Sequence, residues 1–160
     1  RLAHKIDAER IYRSLIDLEK GVMNNYRQIM HLIDLLLNEL KLTGEKEVYN
    51  EILYYSNLMF DEVKSKNDFS TLPRLYSQKS RLLLVNGKFD EAEELLIEAK
   101  EFFKENKLFA LEEIVANELD LIKNEFSKQR QIIESNVSFA EKIDKLHLVD
   151  YINQIVRNTK

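Results

Sequence analysis

Residues 82–103, LLLVNGKFDEAEELLIEAKEFF, carry the pattern on which the fold turns. Gly87 interrupts a leucine-rich run, most simply by taking the left-handed backbone conformation that a Cβ would penalise. A helix begins again at once. Phe89, Ala92, Leu96, Ala99 and Phe103 recur at three- and four-residue steps and share one helical face. The two alanines let a neighbouring backbone come close while the larger side chains fill the flanks. Glu91, Glu93, Glu94, Glu98 and Glu101 fall mostly on the other side. The stretch thus reads as the end of one helix, a turn and a second helix: a hairpin of the kind that stacks into repeats.

Working outward, the same rhythm extends over the chain. Tyr26, Ile29, Met30, Ile33, Leu36, Leu37 and Leu40 keep the helical spacing and end near Gly44. Before them, Ile6, Ile11, Leu15 and Leu18 suggest a first helix closing at Gly21. Val48, Ile52, Tyr55, Met59 and Val63 give a third helix that stops in the polar run Lys64 to Asp68. Ser70 or Thr71 then caps a fourth helix, with Pro73 acceptable because first-turn amides lack intrahelical acceptors. After the fifth helix, Leu108, Leu111, Val115, Leu119, Ile122 and Phe126 define a sixth, extending through Ile132 and Ile133 without a strong break. Ser138 and Glu141 form an S-x-x-E capping box that opens a last helix with Ile143, Leu146, Ile152 and Ile155. The expectation is all-α, about seven helices, with residues 1–160 as a single domain.

Composition supports this and removes several function classes. Three glycines, one proline and no alternating strand pattern favour helix throughout. A net charge of −4 with 32% charged residues supplies no basic field for a phosphate backbone, so nucleic acid is not an expected partner. Absence of cysteine removes disulfides, thiolate nucleophiles and zinc–cysteine sites, and fits a reducing cytoplasm. Apolar runs such as Leu35 to Leu37 and Leu82 to Val85 fall far short of the roughly 20 residues that span a bilayer, so no membrane association is expected. The chain opens at Arg1 without a methionine or a signal-like stretch, which suggests a trimmed piece of a longer array.

Pro73 to Lys107 resembles a tetratricopeptide repeat. Ser80 stands at the small-residue position of the first helix, Gly87 at the turn, and Phe89, Ala92 and Ala99 at the packing positions of the second. Tyr76 takes the place of the early aromatic, and Lys104 stands where such units usually carry proline. More broadly, NELKLTGEKEV, LLLVNGKFDEAEELLIEAKEF and ESNVSFAEKIDKL look like the C-terminal end of long prokaryotic, particularly archaeal, tetratricopeptide proteins. Gly44 and Gly87 lie 43 residues apart, longer than the roughly 34 of a strict array. The resemblance implies a stack of antiparallel hairpins: degenerate ones over 1–69, the clearest unit over 70–106, and a terminal hairpin with a capping helix over 107–160.

Catalytic constellations are not apparent. His4, His31 and His147 lie on separate helices with no H-E-x-x-H pattern. Asp144 and His147 can share one helical face, but a bundle di-metal site needs two Glu-x-x-His helices and two further carboxylates. A surface polar pair is the default, and neither a metal nor a cofactor is expected. The acidic run from Asp90 to Glu101 reads as a solvated face partly offset by Lys100 and Lys104. Phosphate-binding loops and nucleophile elbows are missing. Tyr54 and Tyr55 point about 100° apart on a helix, so one belongs to the core and the other to the surface or to inter-helix packing. The chain is not expected to be an enzyme.

What the resemblance implies is protein or peptide binding by a scaffold segment. In such repeats the first helix of each hairpin lines the concave surface, which places His31, Asp34 and Asn38 in one hairpin and Arg74, Ser77 and Arg81 in the next. The two arginines would hold a peptide carboxylate by charge-assisted hydrogen bonds. The bland alternative is that these side chains solvate an exposed helix or pair with nearby glutamates. Leu108, Leu111 and Val115 at the corresponding places of the sixth helix are apolar, so either the last helix, 138–158, folds back over that end or a partner covers it. A structural module that associates with copies of itself through apolar end faces, as in a homodimer, is the alternative function.

Overall fold

The computed structural model describes residues 10–14, 26–126 and 130–145. Among these, every regular element is helical: α1 Tyr26–Thr43, α2 Lys46–Ser65, α3 Leu72–Val85, α4 Phe89–Glu105 and α5 Phe109–Leu121. A π-helical stretch, Ile122–Phe126, continues α5, and two short helices follow, α6 Arg130–Glu134 and α7 Phe139–Lys145. Residues 10–14 are also helical. The rest of the expected first helix and the distal part of the last lie outside the described residues.

Short connections make each helix double back on its predecessor. α1 packs on α2, α2 on α3, α3 on α4 and α4 on α5, while α3 also touches α5 directly. α3 is consequently enclosed from several sides: all of its residues except Arg74, Lys79 and Leu83 are buried. Tyr76 sits at its centre, its ring 4.9 Å from Phe60 of α2 and 6.2 Å from Phe103 of α4, both edge-on as the ring quadrupoles favour. Ala92 and Ala99 are fully buried against this layer, with Leu96 between them and Phe103 one turn beyond, as the α4 face requires.

The helix ends show a regularity that composition conceals. α2, α3 and α4 each close in a Schellman motif whose left-handed residue is Asn67 (φ 54°), Gly87 (φ 77°) or Lys107 (φ 58°). In each, that residue's N–H and the next one return to the last turn: Asn67 to Lys64 and Asp68 to Val63, Gly87 to Leu84 and Lys88 to Leu83, Lys107 to Lys104 and Leu108 to Phe103. The three turns are spaced twenty residues apart, and each is followed two positions on by a phenylalanine, Phe69, Phe89 or Phe109. Gly44 (φ 65°) ends α1 in the simpler form, its N–H bonded to the Leu40 carbonyl at 2.8 Å.

Two expectations about local structure need correction. Thr71 occupies the N-cap of α3 but makes no side-chain cap bond; its hydroxyl and that of Ser70 instead donate to the Asp68 carboxylate at 3.0 and 2.6 Å. Those hydroxyls hold the Asp68 carboxyl below the usual carboxylate range. The sixth helix does not run on uniformly either: regular α-helix ends at Leu121 and passes into the π-helical stretch. At its other end Leu108 and Leu111 are half-buried and Val115 is fully buried, so these residues face the stack.

Candidate functional site

The six side chains expected to line a groove meet three different fates. Arg81 is 2% exposed and reaches across to α5, where Nε and Nη2 donate to the two carboxylate oxygens of Glu118 at 2.6 and 3.0 Å. A guanidinium engaged in this two-point fashion and shut off from water is not offered to a partner. Ser77 is likewise buried, and its hydroxyl donates to the Pro73 carbonyl one turn back at 3.1 Å. The expected two-arginine clamp is therefore corrected: α5 claims Arg81, and Arg74 remains.

The other four gather at the edge between α1 and α3. Asp34 is half-buried, and that burial pushes its carboxyl above the usual value although the charges of His31 and Arg74 pull the other way. Arg74 shows the mirror image: burial lowers its pKa, and Asp34 acts to raise it. Asp34 Oδ1 is enclosed and has no hydrogen-bond partner among the described residues. Asn38 lies exposed one turn on, donating Nδ2 to the Asp34 carbonyl at 2.8 Å. His31 is exposed and stacks on Tyr12 of the 10–14 segment, ring centroids 5.6 Å apart and planes 29° from parallel. Arg13 ties the same segment to Glu51 of α2, with Nη2 donating at 3.0 Å.

The C-terminal helix approaches this face as well. The sequence places it over the sixth helix or leaves that end to a partner; its described part, α7, packs on α1 and α3. Ser138 opens it as the S-x-x-E pattern suggests, accepting the Glu141 N–H at 3.2 Å. The Phe139 ring lies 5.1 Å from that of Tyr49, whose hydroxyl donates to the Leu82 carbonyl at 2.8 Å. Burial of this phenol pushes its pKa up to about 12. Tyr49, Glu118, Phe139 and Ala140 were not singled out by sequence reasoning. Only the glycine at 44 and the Ser138 cap gave a local signal, and neither names the element it will touch.

The remaining candidates fall into place as surface or packing. Tyr54 is exposed and Tyr55 half-buried, their rings edge-on at 5.2 Å, which divides the pair between surface and core. On α4 the acidic face is offset by Arg130 to Asp90, Lys123 to Glu93 and Lys88 to Glu91. Among the described residues no group of three or more His, Asp or Glu side chains could hold a metal ion. Asp144 and His147 cannot be judged as a pair, since the Asp144 side chain and all of His147 lie outside what is described. Among those residues, too, no helix is long and apolar enough to cross a membrane. No protein-family model, curated protein or solved structure matches the chain.

Proposed function

We propose that the chain is a tetratricopeptide-like stack of helical hairpins that binds protein or peptide as a segment of a larger, non-catalytic cytoplasmic scaffold. The observation that carries this reading is the Asp34 carboxylate, half-buried at the α1–α3 edge with an enclosed oxygen that accepts no hydrogen bond from the described residues. Leaving a desolvated carboxylate oxygen unsatisfied costs stability, and a bound N–H or ammonium donor removes that cost. Arg74 and His31 lie close enough to act on its charge, so the same edge presents cationic and anionic groups together. Such a mixture suits a polar peptide segment better than a purely acidic one. Affinity capture from the source cell with the wild-type chain and with Asp34→Ala and Arg74→Ala tests it: a protein retained by the first and lost by both variants is the expected result.

Self-association has its own supporting observation. Phe109 and Ile114 are 63% and 50% exposed on α5. Beside them, however, α5 turns Glu113, Asn117 and Asp120 to solvent, which suits the polar outer face of a terminal layer. Sedimentation over a wide concentration range separates the readings, since a monomer at all concentrations removes the self-association one.

A further inference from the structure

The first turns of α4 and α5 repeat one arrangement twenty residues apart. Each follows a Schellman turn and begins at its phenylalanine, and the N-cap backbones nearly coincide: Lys88 at φ −101°, ψ 65° and Leu108 at φ −95°, ψ 59°. Glu93 stands four residues after Phe89, as Glu113 does after Phe109. In both helices a ring and a carboxylate therefore lie one turn apart on one face.

On α4 this turn is occupied by cations from the chain itself. The Arg130 guanidinium lies 4.9 Å from the centre of the Phe89 ring, and its Nη2 donates to the two Asp90 carboxylate oxygens at 3.1 and 3.2 Å. Lys123 Nζ meets Glu93 at 3.1 Å. Phe89 is left 4% exposed. On α5 the equivalent ring is 63% exposed, and Glu113 is exposed with it. A first-turn glutamate complements the helix dipole without any partner. An exposed phenylalanine beside it gains nothing from that role, and α4 shows what such a ring and carboxylate take together.

We propose that the first turn of α5, Phe109 to Glu113, is a docking seat for a basic segment of another protein, which lays an arginine on the Phe109 ring and pairs a second cation with Glu113. Charge selects that occupant over a second copy of the chain. No lysine or arginine occurs from Phe109 to Leu121, and Glu113 and Asp120 are both exposed there. Two such faces pressed together would set carboxylate against carboxylate, whereas a basic segment is drawn to them. Ala110 stands where α4 has Asp90, so Glu112 and Glu113 supply the negative charge of this turn. The seat belongs to a different helix from the α1–α3 edge, so the proposal goes beyond the Asp34 reading and stands without it.

The test titrates a peptide of residues 121–134, which carries Lys123, Lys128 and Arg130, into the isotope-labelled full chain and follows backbone amide shifts by NMR. The amides of 109–113 are expected to move, with affinity at least about fivefold weaker in Phe109→Ser and in Glu113→Lys. Both side chains are exposed, so neither change disturbs the core. A peptide with all three cations replaced by glutamine should leave these amides in place. Asp34→Ala should not alter the titration, which separates this seat from the α1–α3 edge. Amides of 109–113 that stay still in the wild type, unchanged affinity in both variants, or equal binding of the neutral peptide overturns the seat. A dimer of the full chain that Phe109→Ser dissociates would give the seat to a second copy and overturn the basic partner.

Discussion

Arg81 and Glu118, 37 positions apart, form a two-point ion pair in which both side chains are 3% exposed. The contact joins the central helix α3 to α5 and explains why an arginine on the expected binding face is not available for binding. Desolvating both charges is expensive, and their mutual attraction offsets it only while both are present. Glu118→Gln or Arg81→Met alone should therefore cost about 3–5 kcal/mol in urea denaturation. The double replacement Arg81→Met with Glu118→Leu should recover most of it. Strict additivity of the two losses would show that the pair is not the coupled unit its geometry describes.

Lys107 holds a left-handed conformation that Gly87 adopts without penalty at the equivalent turn twenty residues earlier. Lys107→Gly should stabilise the chain by about 1 kcal/mol, because the steric cost of a Cβ at positive φ outweighs the extra freedom glycine gains on unfolding. Gly87→Ala should destabilise by a similar amount, about 1 kcal/mol. Both are read from the midpoint of a denaturant titration at constant slope. A loss of stability in Lys107→Gly would mean that its side chain contributes more than its backbone conformation costs.

The same turns show which parts of the fold were legible. Gly87 announced its turn, since glycine after a leucine run has few other uses. Asn67 and Lys107 did not, because a non-glycine residue in the left-handed region leaves no compositional trace, and Gly44 with Gly87 suggested a 43-residue period in its place. The twenty-residue interval becomes visible in sequence only through Phe69, Phe89 and Phe109, once the turns before them are known. The candidate site was legible in part for a similar reason. The likeness to the repeat pointed to His31, Asp34, Asn38 and Arg74 as surface residues, but it cannot reveal that Glu118, from a distant helix, claims Arg81. Nor can it reveal that α7 turns back onto α1 and α3.

Asp34 gives the edge a pH signature. Its folded pKa is raised above the ordinary 3.8, so the folded state holds the proton more firmly than the unfolded one. The resulting stability is fully present below 3.8 and is lost as pH rises through the folded pKa. Asp34→Asn removes that dependence. Thermal melts should show the variant more stable than wild type at neutral pH, with the difference shrinking on acidification. A variant less stable at neutral pH would indicate that attraction to Arg74 and His31 outweighs the burial cost.

Close packing around the two alanines of α4 supplies a further check. Ala99 is fully buried between α4 and its neighbours. Ala99→Leu should cost about 1–3 kcal/mol through overpacking, whereas a change at exposed Glu101 should stay within about 0.5 kcal/mol. Equal tolerance at both sites would place Ala99 outside a packed interface.

The central claim is that the α1–α3 edge binds protein through Asp34. Its most direct test is calorimetric titration of a captured partner into the wild-type chain, Asp34→Ala and, as an exposed control on α5, Glu113→Ala. The account predicts that Asp34→Ala weakens binding by about tenfold or more while Glu113→Ala leaves it unchanged, as expected for loss of a hydrogen bond to a charged group. Equal affinity for wild type and Asp34→Ala would contradict it.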